Sequence, residues 1–508
     1  MTKAPKTLGP VEIIKGLAKP ETDAERLLLE SVKTGEPAKI PGDSEPTDPD
    51  TWTEAQTIRA NIIRHICLNP EHYEMDPKGI QIIGALIKDE LNLQFAALTI
   101  PIGIIESHFT HTPNLIQCRL PALVLDKCDL RGLTASRMTS VGSVFLRKVT
   151  SCEEIRLLGA KIGGNLECND ASFINKDSTA LVADQLTCNG NVFLNNVTAH
   201  GEVRLMGGKI DGNLGCTGAN FTNKNGNAFY AQRLHVSGRF FWRGLKFKPE
   251  GRVDLMHTHV GDFIDDGTGW PKTGDLYIEG FTYDTLDGKV SAEQHIKWLN
   301  LMPKLSTNFF PQPYEHMIKI LRHAGHEHDA RKIAFEKQEA YRAYLKRKVK
   351  YLRTKSFADL KPPSALFTSK RFVIHRSWLL FFKWTMGFGY KPLKTLLISL
   401  FLMGLGADFY DTAKQKGEMV PSKERIYMED DYLGDDSIPR EYPSFNAIAY
   451  SIDTFIPFVD LHQETYWEPA SGKPKHEPLR FYLWFHIAFG WILATMAAAV
   501  FTGLIKKD

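Results

Sequence analysis

The chain reads as a mixed protein: a cytosolic β-solenoid with an N-terminal helical cap, a helical hairpin linker, and a C-terminal two-span α-helical membrane domain with a pore-loop-like insertion. Three observations predict this class. A 48-residue segment repeats in the middle of the chain, apolar spacing turns helical beyond Asp284, and two long apolar stretches fall near the C-terminus. Composition agrees. With 43% hydrophobic and 24% charged residues the chain is not mainly disordered, and a mean hydropathy of −0.24 excludes a transporter made mostly of spans. Sixty-two basic against 59 acidic side chains leave +3, too even for a chain-wide polyanion-binding field, so any basic site is local. Seven cysteines without paired CxxC spacing support neither a disulfide framework nor a zinc module, and suit a reducing compartment.

Residues 1–78 are expected to form the N-terminal cap. The start, MTKAPKTLGPVEIIKGL, has no secretory apolar core. The segment TEAQTIRANIIRHICLN sets Ile58, Ile62, Ile63 and Ile66 at helical spacing, as expected of a helix closing a solenoid end.

Residues 79–283 form the predicted solenoid. EEIRLLGAKIGGNLECNDASFINK, from Glu153, aligns with GEVRLMGGKIDGNLGCTGANFTNK, from Gly201, so the repeats occupy 153–200 and 201–248. Nearly half the positions match over some 40 residues. Apolar residues recur at short spacing (Leu205, Ile210, Leu214, Cys216, Ala219, Phe221), the pattern of two- to four-residue strands joined by corners where Gly and Asn supply positive φ. Each 48-residue unit is read as two coils, with Cys168, Cys188 and Cys216 as small inward residues rather than redox groups or ligands.

Residues 284–360 are expected to be a helical hairpin turning at Gly325. His323, His326, His328 and Asp329 resemble a metal cluster, yet at a turn and helix start they read as capping residues. The run KRKVKYLRTK follows. Lys346, Arg347, Lys348, Lys350, Tyr351 and Arg353 are the ligand-binding candidates: a solvated helix end, a contact with anionic lipid and a contact with nucleic-acid phosphate all fit the composition.

Residues 361–508 form the predicted membrane domain. Spans are expected at about 390–410 and 481–505, the first extended or anchored by WLLFFKWTMGFGY, with 411–480 between them. A buried hairpin of a soluble domain is the alternative. Lys383, Lys391 and Lys394 before the first span, and Lys506 and Lys507 after the second, put both ends on the cytoplasmic face. The connecting segment is acidic at Glu429, Asp430, Asp431, Asp435 and Asp436. Within it, YPSFNAIAYSIDTFIPFVDLHQETYWEP suggests a short helix capped by Ser444, with Phe445, Ile448, Ala449 and Ile452 on its apolar side. Pro457 stops it, and an extended piece from Phe458 to Leu461 follows. Span, short helix, extended piece, span is the layout of a tetrameric pore; an amphipathic loop on the outer leaflet is the alternative. Asp453, Thr454, Phe458, Asp460 and Glu464 are the pore-lining candidates, the carboxylates favouring cations. No TVGYG-like ladder is present, so potassium selectivity is not expected. Two spans per chain enclose no water path, so conduction requires a cyclic oligomer.

The GNLxC repeats, FFPQPYEHMIKILRHAGHEHDARKIA and SIDTFIPFVDLHQETYW…FGWILATMAAAVFTGLIKK together resemble bacterial β-solenoid membrane proteins labelled membrane-associated oxidoreductase, and the membrane channel effector of the Hailong anti-phage defence system. The resemblance covers roughly Thr53 to Lys507. It implies a homotetrameric ion channel in the bacterial inner membrane, held closed by a single-stranded DNA oligomer that a partner nucleotidyltransferase makes. Loss of the oligomer on infection would depolarise the cell. It transfers no DNA-contact residue. The oxidoreductase label finds no support: the sequence has no GxGxxG after a predicted strand, no CxxC, no haem-attachment CxxCH, no GxSxG and no GKS/GKT loop. No catalytic residue, metal ligand or cofactor is assigned, and the chain is read as not an enzyme. A membrane-tethered scaffold whose solenoid binds a protein partner is the alternative function.

Overall fold

A computed structural model describes residues 13–14, 17–42, 48, 51–287, 290–305, 307–358, 374, 377–385, 392–423, 426, 442–470 and 477–501. It divides into two compact units, Met1–Glu336 and Lys337–Asp508. The boundary falls within the region read from sequence as one linker, because the helices after the solenoid belong to two different cores.

The first unit is a β-solenoid of about nine coils. One inward column can be followed strand to parallel strand through Ile80, Ile102, Leu123, Val144, Leu166, Val192, Leu214, Phe240 and Phe263. Most strands are two residues long, one inward and one outward, as the short apolar spacing requires. The repeat has a physical origin in coil length. Leu166 to Val192 is 26 residues and Val192 to Leu214 is 22, together 48. The longer coil carries an extra turn at Asn175–Thr179, closed by Asn175 Nδ2 donating to the Thr179 carbonyl at 2.8 Å. The next coil passes beneath it at Gly201, φ 135, where a Cβ would lie 2.5 Å from the Asn175 carbonyl oxygen. Asn223 to Asn227, with Gly251, repeats the arrangement.

The corners follow the sequence expectation in part. Gly159, Gly207, Gly218 and Asn196 supply positive φ, and the expectation misses the long polar residues that also adopt it near 55°, among them Gln117, Lys127, Arg137, Lys148, Gln185 and Arg233. Each costs about 1 kcal/mol. The ladder bonds and the inward stack on either side hold the backbone there while the long side chains point to water. Inside, Cys118, Cys128, Cys168, Cys188 and Cys216 are buried and free. Burial raises the Cys168 and Cys216 thiols, so they behave as small apolar fillers.

Both ends of the stack are covered. At the start, α1 (Asp23–Thr34) and α2 (Ala60–Leu68) lie over the first coil. The helix expected across TEAQTIRANIIRHICLN begins only at Ala60. Thr57–Arg59 is instead a strand parallel to Leu86–Lys88, because the open edge of the first coil needs backbone partners. Arg59, fully buried, pairs with Glu25 at 2.9 Å and Glu21 at 2.8 Å, fastening α1 to that strand. At the far end the core turns aromatic: Phe221, Phe229, Phe240, Trp242, Phe263 and Trp270 stack in sequence onto Trp298 of α3 (Ala292–Leu299). Next, α4 (Gln312–His323) docks on the last strand, where the Gly280 N–H donates to Gln312 Oε1 at 2.8 Å. Gly325, φ 80, turns the chain into α5 (Glu327–Ala358), which runs across the unit boundary.

The second unit contains the helical residues 377–385 (α6), α7 (Pro392–Gln415), α8 (Ala447–Phe455), α9 (Gln463–Tyr466) and α10 (Glu477–Phe501). The spans Leu393–Gln415 and Glu477–Ala499 are long and apolar enough to cross a membrane. They are shifted from the expected 390–410 and 481–505, and residues 390–391 and 502–505 lie outside the described residues, as do Lys391, Lys506, Lys507 and the acidic run at 429–436. Only 17% and 22% of the two windows is buried, which argues against the core hairpin of a soluble domain.

Candidate functional site: a short helix seated on two apolar helices

Each long helix covers only a narrow stripe. On α7 the buried positions are Thr395, Gly406, Tyr410 and Ala413, and on α10 they include Leu479, His486, Gly490, Leu493 and Met496. Both stripes run at three-to-four spacing and face α8 or one another. The glycines are there for close approach. A Cβ on Gly406 would lie 2.5 Å from Ser451 Oγ and 2.6 Å from His486 Cε1, and one on Gly490 would lie 2.0 Å from the Phe455 carbonyl oxygen.

Polar bonds fix the depth of α8. Ser451 Oγ donates to the Met403 carbonyl at 2.8 Å, and His486 Nε2 lies 3.2 Å from the Ser451 carbonyl and 3.3 Å from its hydroxyl. Met403 is eleven residues from Pro392 and twelve from Gln415, roughly 17 Å from either end at 1.5 Å per residue. Phe455, the last residue of α8, rests on Gly490, also near mid-length of α10. The helix therefore enters beside one pair of ends and stops halfway along both partners. Its N-cap is Asn446, whose Oδ1 accepts from the Ala449 N–H at 3.0 Å, not the expected Ser444. Its packed face is Tyr450, Ser451, Thr454 and Phe455, whereas Ile448, expected to be packed, is 65% exposed.

The sequence-predicted pore residues separate here into two groups. Asp453 is buried, and both oxygens are engaged: Oδ1 accepts from the Leu461 N–H and Oδ2 from the Glu464 N–H, each at 2.8 Å. It folds the returning chain against α8 and caps α9. Thr454 is buried too and donates to the Tyr450 carbonyl at 2.7 Å within its own helix. Phe458, Asp460 and Glu464 are exposed, with Asp460 Oδ1 accepting from the His462 N–H at 2.9 Å. Residues 456–461 form an irregular turn rather than a strand.

An aromatic cluster packs around Tyr450 of α8. Met419–Pro421 pairs antiparallel with Trp467–Pro469, and Tyr410, Tyr450 and Trp467 pack with Tyr442, Phe445, Tyr466 and Tyr482. Lys414 Nζ sits 3.7 Å from the Trp467 ring centroid. Sequence reasoning missed Ser451, Gly406, His486 and Gly490, although a lone His and small residues within apolar runs were a signal.

The basic candidates fall on the second-unit part of α5. Lys346, Lys350 and Tyr351 are exposed, Arg347 and Lys348 are half-buried, and Lys348 Nζ lies 5.4 Å from the Tyr344 ring centroid. Arg353 is on the helix, its side chain outside the described residues. Among the described residues no group of three or more His, Cys, Asp or Glu could hold a metal ion. Comparison with known proteins finds no matching family model, curated protein or solved structure.

Proposed function

We propose that the chain is a subunit of a homo-oligomeric membrane ion pore, tetrameric in the simplest arrangement, controlled by its solenoid unit. One observation carries this reading: α8 ends at mid-length of two helices whose outer surfaces are apolar. In a bilayer a helix that stops halfway leaves backbone that only protein or a water-filled cavity can satisfy. Asp453 satisfies part of it from within, and copies of the chain around an axis would supply the rest. The C-terminal end of α8 then points its partial negative charge toward the midplane, which favours a cation. Asp460 and Glu464 are left to form the rings that select for it.

The basic, Tyr-bearing end of α5 is the natural place for an anionic ligand to bias the pore, and a single-stranded DNA oligomer fits that chemistry. A pore released by loss of such a ligand would depolarise the cell, the output expected of an anti-phage effector. The test joins mass with current. Full-length protein in nanodiscs should be an oligomer, and the same preparation in planar bilayers should give unitary currents whose cation preference falls in Asp460→Asn. A monomer in nanodiscs, or an oligomer impermeable with and without nuclease treatment, would overturn the reading.

A further inference from the structure

The described residues of α6, 377–385 (SWLLFFKWT), are helical and have two unlike sides. One face is packed: Phe381 and Phe382 lie against Met496 of α10, Phe381 also lies 6.2 Å from the Phe489 ring, and the Thr385 carbonyl accepts from Thr395 Oγ1 of α7 at 3.1 Å. Leu380 and Trp384 are exposed on the opposite side, and Trp378, exposed too, sets its ring against Phe381 and Phe382. Lys383, the one cation among the described residues of the helix, is held 2.7 Å from Glu339 of α5.

The geometry points to α6 as a third membrane element, lying in the headgroup–acyl boundary of the leaflet at the N-terminal end of α7. Its occupant is the bilayer interface itself, of neutral as well as anionic composition. Three observations carry this. The Thr385–Thr395 bond fastens α6 to the N-terminal part of α7, whose Leu393, Leu396 and Leu397 are exposed. Two exposed tryptophans, Trp378 and Trp384, match the amphipathic rings that collect at that depth. Lys383 and Arg342 share the Glu339 carboxylate, so among the described residues of α6 no cation is left unpaired for anionic lipid, and attachment draws on apolar area. This goes beyond the pore reading and needs only that α7 and α10 lie in lipid. It also gives α5 a handle on the membrane, since Glu339 ties it to a helix floating at the interface.

Nitroxide labels test the placement in full-length protein reconstituted in phosphatidylcholine vesicles, with and without phosphatidylglycerol. The background is Cys152→Ser, which removes the exposed thiol. Labels at Trp384→Cys and at Leu380→Cys, the latter leaving both tryptophans in place, are compared with Phe401→Cys on α7. All three should favour oxygen over a water-soluble nickel chelate, the α6 labels at shallower depth, with the same ratio in both lipids. Chelate-favoured labels on α6 beside an oxygen-favoured Phe401 label would overturn the inference, and so would a dependence on phosphatidylglycerol. A chelate-favoured Phe401 label would instead remove the bilayer assignment, and the inference with it.

Discussion

The two units are built inside-out with respect to each other. In the solenoid the interior is aliphatic, sulfhydryl and aromatic, from Ile80 to Trp298, and the outward positions are Lys, Arg, Asn and Thr. In the second unit Thr395, Gly406, Ser451, Asp453, Thr454 and His486 are buried beside Tyr410, Tyr450, Phe455 and Trp467, while Leu396, Leu400, Phe401, Phe485 and Trp491 face outward. The difference is the one expected of a second unit whose outer surface meets lipid, as proposed above. Where water surrounds a fold, apolar burial drives packing. Where lipid does, packing rests on small residues that let helices approach and on polar groups that bond across them.

The largest expected effect tests that contrast at two glycines. Gly490 has the Phe455 carbonyl against it, whereas Gly404, on the other long helix, has nothing within 4 Å of where a Cβ would stand. Gly490→Leu should displace α8 and abolish the native oligomer in detergent, a loss of more than about 3 kcal/mol from overpacking. Gly404→Leu should leave it intact. Size-exclusion mass of the two variants reads the outcome, and equal tolerance would mean that α8 is not wedged between the helices.

Next comes Asp453→Ala, which strips two part-buried N–H groups, of Leu461 and Glu464, of their acceptor. At about 1–3 kcal/mol for each orphaned donor, thermal stability of the membrane unit should fall by about 3 kcal/mol. Asp460→Asn, at an exposed position, should leave the melting curve unchanged and alter only ion preference. If both variants melt alike, the division of these carboxylates into one structural and one pore-facing group fails.

The solenoid carries one buried acid of opposite character. Asp265 sits in the aromatic end of the stack, accepting from the Gly267 N–H at 2.9 Å and the Trp270 indole at 3.2 Å. Burial pushes its carboxyl up from 3.8 to about 6, despite those bonds. The folded form thus holds its proton more tightly than the unfolded chain does. Its contribution to stability is complete below about pH 4 and is lost as pH rises through 6. The difference amounts to about 2–3 kcal/mol at 1.36 kcal/mol per unit. Asp265→Asn keeps an acceptor oxygen and should flatten that part of the curve, raising the melting temperature at pH 7 more than at pH 4. An unchanged pH profile in this variant would place the charged form in water.

Much of this is legible in the sequence, and the misses have physical causes. The solenoid follows from a repeat that stacking requires: Leu166, Val192 and Leu214 recur because each must sit on the next. The α8 segment is legible as a helix ended by Pro457, since that depends on local chain chemistry. Its orientation is not. Hydrophobicity assigns Ile448 to the packed side, but in lipid the packed side is the one bearing Ser451 and Thr454. Asp453 reads as a pore carboxylate because its two backbone donors, eight and eleven residues on, meet it only after the chain reverses. The start of α2 is misplaced for a similar reason: Thr57–Arg59 is a strand only because Leu86–Lys88 lies beside it.

The smallest expected effect concerns what the solenoid has and the membrane unit lacks among the described residues, a side-chain ladder running along the stack. Asn191 Nδ2 donates to Asn165 Oδ1 at 3.2 Å, and Asn191 Oδ1 accepts from the Asn213 N–H at 2.9 Å, so one amide bridges three coils. The backbone ladder beside it is intact, which limits what the side chain can add. Asn191→Ala should cost about 1 kcal/mol, the net worth of a hydrogen bond exchanged with water. Asn191→Asp keeps the acceptor but loses the donor and sets a carboxylate against Asn165 Oδ1, so it should cost more than alanine. Because stacked coils stabilise through their neighbours, protection against hydrogen exchange should fall on the coils either side of Asn191 and not at the ends. A loss spread evenly over all coils would show the solenoid unfolding as one block, and the ladder adding nothing of its own.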